Sequence, residues 1–189
     1  MSIVAIDVET TGFGHAGRVA RPDAVIQVGM AWRDEKGDVQ RWSSYCNPGT
    51  HFLENGRAES ALKVNGISEQ TVLAALPAEK VAASFWDTVF GLDAKGDPVE
   101  FRAFNRAFDS VFLSAEPWRI PAQRWGACIM LDAQARLQSY KWPKLDEAVV
   151  RLGLAWPDGP AHDAAVDAHA ALLVHEKISG ENVHAASRS

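Results

Sequence analysis

Cysteine is scarce. The 189 residues contain only Cys46 and Cys128, far apart and outside any zinc-ligand or redox spacing. That excludes a disulfide framework and a thiolate metal site and leaves two buried free thiols as the expected state. Long apolar runs are missing as well. No stretch approaches the roughly 18 to 20 apolar residues of a membrane span, and the start Met1-Ser2-Ile3-Val4 lacks the basic lead of a secretory signal. A cytoplasmic chain with no membrane partner is expected. Internal repeats and low-complexity linkers are absent, which excludes repeat arrays. Nor is there an excess of positive charge: 19 Lys+Arg against 24 Asp+Glu leave a formal charge of −5, the wrong sign for a protein that coats polyanions. A chain whose carboxylates are offset by bound cations and whose basic groups gather locally remains open, because local fields follow placement rather than sum.

What is present is average globular usage, with 47% hydrophobic and 23% charged residues, enough for one domain with a sizeable core. Residues 1–180 read as that domain and 181–189 as a disordered tail. Ile3–Asp7 is a β-branched run ending at a carboxylate. Ala24–Trp32 and Arg41–Cys46 are further apolar-rich runs, joined by a short turn with Gly37 and Asp38 that predicts a hairpin. Helical spacing follows over Gly56–Val64 and Pro77–Phe90. A strand is expected at Val99–Phe104, a helix at Arg106–Ser114 and a fifth strand at Arg124–Ile129. Helices are then expected at Leu131–Gln138, Leu145–Leu152 and Ala164–Ile178. Antiparallel strands first and strand-helix alternation later predict an α/β fold, a mixed five-stranded sheet flanked by helices.

Gly12-Phe13-Gly14-His15-Ala16-Gly17 fits a dinucleotide-binding glycine pattern after a strand. That pattern needs a crossover helix, and only a few residues, Pro22 among them, separate Gly17 from the next strand. The glycines read instead as a flexible loop. The same segment holds Asp7-Val8-Glu9-Thr10-Thr11-Gly12. Side chains at i and i+2 of a strand point the same way, so Asp7 and Glu9 can form a hard-oxygen site for Mg²⁺ or Mn²⁺. A D-x-E pair alone also fits a solvated strand end.

Two further segments add weight. In Asn105-Arg106-Ala107-Phe108-Asp109, Asp109 falls in the first turn of a helix entered from a strand, where it can face the first strand or simply complement the helix dipole. In His162-Asp163-Ala164-Ala165-Val166-Asp167, a histidine and an aspartate open the last helix. Asp163 competes with Asp167 as the ligand, and His162 can equally cap the helix. His169 and His175 read as surface or core residues. The seven tryptophans are dispersed and read mostly as packing, with Trp142 and Trp156, beside prolines in expected exposed loops, as interface candidates.

The ordered set Asp7-x-Glu9-Thr10-Thr11-Gly12, Asn105-x-x-Phe108-Asp109 and His162-x-Ala164-x-x-Asp167-Ala168 resembles the three motifs of the DEDDh (DnaQ-like) 3′-to-5′ exonucleases. That family includes polymerase proofreading subunits and ribonuclease T. Ala61-Leu62-Lys63-Val64-Asn65-Gly66-Ile67, Lys144-Leu145-Asp146 and Leu152-Gly153-Leu154 extend the likeness over about residues 3–178. The chain departs from the pattern at Asn65, where many members have His, and at Phe104, where the family often has His or Tyr.

The resemblance implies a ribonuclease H-like fold and two divalent cations, Mg²⁺ or Mn²⁺, on Asp7, Glu9, Asp109 and Asp167. It makes His162 the general base, and nucleoside 5′-monophosphates the products. It places Thr10 and Phe13 against the terminal nucleotide, Phe13 stacking on its base unless it folds onto the core. Arg18, Arg21, Arg102 and Arg106 flank the motifs and can contact phosphates. The implied partner is nucleic acid with a free 3′ end, single-stranded, with a homodimer or a polymerase as further partners. No segment reads as a polymerase tether, which favours a free-standing enzyme. Two other classes compete: a non-catalytic module that keeps the fold to bind nucleic acid or a polymerase, and a hydrolase of small nucleotides or very short oligomers. A mononucleotide ester compared with a 20-mer separates the last.

Overall fold

A computed structural model of the chain describes residues 2–14, 23–54, 56–96 and 98–186. The β-branched runs form β1 (Ile3–Thr10), β2 (Val25–Arg33) and β3 (Val39–Tyr45), each close to its expected span. β4 is shorter than expected, Glu100–Arg102. The helices are α1 (Gly56–Asn65), α2 (Glu69–Ala74), α3 (Ala78–Asp93), α4 (Arg106–Leu113), α5 (Ile129–Arg136), α6 (Leu145–Arg151) and α7 (Ala164–Ala186). α7 thus runs past residue 180, into the expected tail, and residues 187–189 lie outside those described. Among the described residues no helix is long and apolar enough to cross a membrane.

The sheet has the order β3-β2-β1-β4, with β1 antiparallel to β2 and parallel to β4. Among the described residues it has four strands rather than five. The segment expected as a fifth strand lies beside β4, where it makes one isolated bridge, Phe101 to Trp125, and the bond from Gly126 N to Phe101 O. By Ile129 the chain has turned into α5, the N–H groups of Ile129 and Met130 bonding to Ala103 O and Phe104 O beyond the end of β4. Gly126 admits the Glu100 carboxylate where a Cβ would stand. The apolar run of residues 124–129 therefore covers β4 instead of extending the sheet.

Alternation along β1 divides it between two cores. Val4, Ile6 and Val8 join Val28, Met30, Phe85 and Phe101 in one cluster. Ala5 and Ala31 join Ile129, Val149, Leu172 and Val174 in the other, under α5, α6 and α7. A third, smaller cluster of Ile26, Leu53, Leu62, Ile67 and Val72 ties α1 and α2 to β2. Both cysteines are free, Cys46 buried and Cys128 half-buried.

One glycine sets the spacing between sheet and helix. A Cβ on Gly29 would stand 2.2 Å from the backbone carbon of Ala164, so only a hydrogen side chain lets α7 begin against β2. Because the obstacle is backbone, no rotamer change relieves it. Gly29→Ala should lower stability by about 3 kcal/mol and the melting temperature by roughly 6 to 12 °C. An unchanged melting curve would mean that α7 does not lie this close.

Candidate functional site

The register of β1 against β2 aims two carboxylates. Asp7 lies opposite Gly29, and directly opposed residues share a face of the sheet. That face is the one on which α7 begins. Glu9, two residues on, points the same way and is buried, 7% exposed, while Asp7 is half-buried.

Asp109 arrives from the open edge. Pairing of β1 with β4 ends at Ala5 and Arg102, which leaves the outer edge of β1 beyond Ala5 without a strand. α4 fills the place: Asp109 is 2% exposed, and its carboxylate accepts from the Val8 backbone N–H. A strand that stops early thus brings a third carboxylate to Asp7 and Glu9.

α7 supplies the rest, and its first turn separates the two aspartates that the sequence leaves in competition. The Asp163 carboxylate accepts from the N–H groups of Ala165 (3.1 Å) and Val166 (3.2 Å) and from Gln27 Nε2 (3.1 Å). It is the helix cap. Gln27, 1% exposed, also accepts from Ala164 N through Oε1, locking the start of α7 to β2. A polar residue inside the apolar run 24–32 was the available signal for Gln27. Asp167 is one turn further on, where Oδ2 accepts from the His162 backbone N–H at 3.3 Å. His162 is exposed, with φ 64, a left-handed conformation that histidine tolerates better than most residues. Ligand atoms of Glu9, His162 and Asp167 lie within 4.8 Å of one another.

The electrostatics are unfavourable as they stand. Burial pushes the Asp7 carboxyl well above the ordinary aspartate range, and repulsion from Asp109, Asp167, Glu9 and Asp163 adds to it. Glu9 is pushed up to about 8, by burial first and then by Asp167, Asp109 and Asp163. Burial takes Asp109 to about 7 despite its hydrogen bonds from its own N–H and that of Val8. Asp167 reaches about 6 by burial, moderated by the His162 N–H and charge. Asp109 Oδ1 and Asp167 Oδ1 are buried without a hydrogen-bond partner. Clustered carboxylates with orphaned oxygens suit a hard divalent cation, which takes oxygen ligands and removes the repulsion.

The sign of the resulting pH dependence follows from the raised values. Asp109 in the unfolded chain titrates near 4 and in the metal-free fold near 7, so stability present below pH 4 declines as pH rises and levels off above 7. Asp109→Asn removes that ionisation and keeps an acceptor for Val8. With chelator at pH 8 the variant should melt on the order of 5 to 10 °C above the wild type, and the gap should narrow at pH 5. Equal gaps at both pH values would show that Asp109 ionises normally.

The loop after β1 is built on Asp23. Its carboxylate accepts from Gly14 N (2.7 Å) and Thr11 Oγ1 (3.3 Å), and a Cβ on Gly12 would stand 2.6 Å from its Oδ2. Thr10 Oγ1 donates inward to Gly12 O at 2.7 Å, and Asn65 Nδ2 donates to Thr10 O at 3.2 Å. Phe13 does not fold onto the core: it is 89% exposed, edge-on to Phe108 with ring centroids 6.0 Å apart. Arg102 Nε is engaged by Glu100 at 2.6 Å. Arg106 lies half-buried in the first turn of α4. His15, Ala16, Gly17, Arg18 and Arg21 lie outside the described residues. Trp156 packs half-buried against the α5–α7 core rather than standing in an exposed loop, whereas Trp142 is 67% exposed.

No protein-family model and no curated protein matches the chain. Solved structures share its fold. Cell-death related nuclease 4 aligns with a TM-score of 0.70 at 16% identity, over 95% of this chain and 64% of that one. E. coli Exonuclease I in complex with a dT13 oligonucleotide aligns at 0.64 and 20%, over 93% and 41%. The nuclease domain of 3′hExo, a DEDDh family member bound to rAMP, aligns at 0.65 and 17%, over 95% and 92%. The chain therefore spans less than two thirds of the first two proteins and nearly all of the third domain. At these identities the likeness is one of fold, a ribonuclease H-like mixed sheet flanked by helices.

Proposed function

We propose that the chain is a metal-dependent 3′-to-5′ exonuclease that hydrolyses the terminal phosphodiester of DNA or RNA and releases nucleoside 5′-monophosphates. The observation that carries this reading is the convergence of Asp7, Glu9, Asp109 and Asp167 with one exposed histidine, His162, and two orphaned carboxylate oxygens. The shared fold with the DEDDh member 3′hExo supports it. The four carboxylates would hold two divalent cations, Mg²⁺ or Mn²⁺. Bound there, the cations would supply the positive charge that an anionic phosphodiester needs as its transition state gathers negative charge.

The chain's own residues do the remainder. His162, at the solvent edge of the cluster, takes the proton from the attacking water on an imidazole nitrogen. Thr10 contributes backbone rather than hydroxyl, since its Oγ1 is held by Gly12 O. Asn65 fixes the Thr10 carbonyl and so holds the end of β1 against α1. Phe13, exposed and braced by Phe108, offers a ring for the terminal base, a sequence-tolerant contact. Together these favour a free 3′ end on a single strand.

The test is a gel assay of 5′-labelled and 3′-labelled single-stranded DNA and RNA with Mg²⁺, Mn²⁺ or EDTA. The expected result is a ladder from the 5′-labelled strand and a labelled mononucleotide from the 3′-labelled one, both stopped by EDTA. Retention of the strand without cleavage would overturn the catalytic reading and leave a binding module on the same fold.

A further inference from the structure

The site draws on distant parts of the chain, Asp7 and Glu9 on β1, and His162 and Asp167 at the start of α7. What sets these two parts against each other lies on β2. The β1–β2 ladder pairs Asp7 with Gly29 and Glu9 with Gln27, so the residues opposite the two strand carboxylates both meet the first turn of α7. Gly29 meets it by having no side chain, which admits the Ala164 backbone. Gln27 meets it by hydrogen bonds: Nε2 donates to Asp163 Oδ2 at 3.1 Å, and Oε1 accepts from Ala164 N at 3.3 Å.

An uncharged amide suits both partners. A backbone N–H only donates and an ionised carboxylate only accepts, so the side chain between them has to present one acceptor and one donor, here at 1% exposure. A carboxylate in this place would face a carboxylate, and an apolar side chain would leave a buried donor and a buried acceptor unpaired. The bonded unit continues into the site. Asp167 N donates to Asp163 O at 2.9 Å, and the N–H of His162, the residue before Asp163, donates to Asp167 Oδ2 at 3.3 Å. A shift of Asp163 therefore carries Asp167 and His162 with it, while Asp7 and Glu9 stay with the sheet.

We propose that Gln27 is a positioning residue, which acts through Asp163 to fix His162 and Asp167 against the carboxylate of Glu9 on the facing strand. This rests on the exonuclease reading for the reaction it serves. Three variants test it. Gln27→Met keeps an unbranched chain and removes both polar atoms. Asp163→Asn keeps a capping oxygen but turns a donor toward the donor of Gln27. Adding Gln27→Glu to Asp163→Asn restores every bond with the roles exchanged, since a carboxylate at position 27 accepts both from Ala164 N and from the new amide at position 163. The readouts are kcat and KM on a labelled single strand at saturating Mn²⁺, Mn²⁺ affinity of the protein without nucleic acid, and melting curves with chelator.

For Gln27→Met, kcat should fall about 10²-fold with KM within roughly three-fold of wild type. Its Mn²⁺ affinity should weaken about 10- to 100-fold although no charge has been removed. Asp163→Asn should lose kcat in the same way, and the double variant should return kcat and Mn²⁺ affinity to within about three-fold of wild type. A Gln27→Met variant with kcat or Mn²⁺ affinity within about two-fold of wild type would overturn the proposal. So would a double variant whose melting temperature recovers while kcat does not, because the amide would then serve the fold alone. Should Gln27→Met not fold, the comparison of Asp163→Asn with the double variant decides. If the wild type cleaves nothing, the exonuclease reading fails and the Mn²⁺ affinities decide on Gln27. A wild type that neither cleaves nor binds Mn²⁺ overturns both.

Discussion

Replacing Asp7 by asparagine should cut mononucleotide release by about 10³-fold or more, with an intact fold. Asp7 sits on the central strand β1, opposite Gly29, and its charge is opposed by more neighbours than that of Glu9 or Asp167: Asp109, Asp167, Glu9 and Asp163 all raise its carboxyl, after burial. A group so disfavoured as an anion in the metal-free fold would be relieved by bound cations. Asparagine preserves volume and removes the charge, so repulsion in the empty site falls while cation affinity is lost. Steady-state cleavage, Mn²⁺ titration and melting with chelator check the three parts. Wild-type turnover in the variant would remove Asp7 from the reaction, and a steep fall in melting temperature would mark it as a structural residue.

His162 carries the second large effect. His162→Asn keeps a residue type that accepts the left-handed backbone at φ 64 and should lower kcat by about 10² to 10⁴. The distinction to draw is between a base and a ligand, because His162 shares a 4.8 Å cluster with Glu9 and Asp167. A base lost leaves cation affinity near the wild-type value and permits partial rescue by added imidazole at this exposed position. A ligand lost weakens Mn²⁺ binding instead. Wild-type kcat would exclude both roles.

That these five candidate residues would cluster was legible because each lies at an element boundary that the sequence marks. Asp7 and Glu9 end a β-branched run, Asp109 follows Asn105 into a helix, and His162 and Asp167 bracket the start of the last one. Other features depended on contacts between distant segments. Asp163 and Asp167 were equivalent on paper until the bonds from Ala165, Val166 and Gln27 assigned Asp163 to the cap. The fifth strand is absent because an apolar run can cover a sheet edge as well as join it, and here the segment makes one isolated bridge beside β4, with Gly126 against Glu100. Trp156 and Trp142 carry the same proline signal, yet one packs on the core and the other faces water; spacing alone does not separate them.

The short β4 has a consequence for how the protein can change. Its ladder with β1 closes at Ala5, and the rung it leaves vacant at Val8 is the seat of the Asp109 carboxylate. Two or three further residues of strand after Arg102 would claim that N–H group, complete the sheet and evict α4 from the edge. Such a chain would be better paired and would lose the carboxylate cluster, with all five motif residues still in its sequence. The length of β4 is therefore as much a determinant of the site as any side chain within it, and a comparison of relatives by residue identity alone would overlook it.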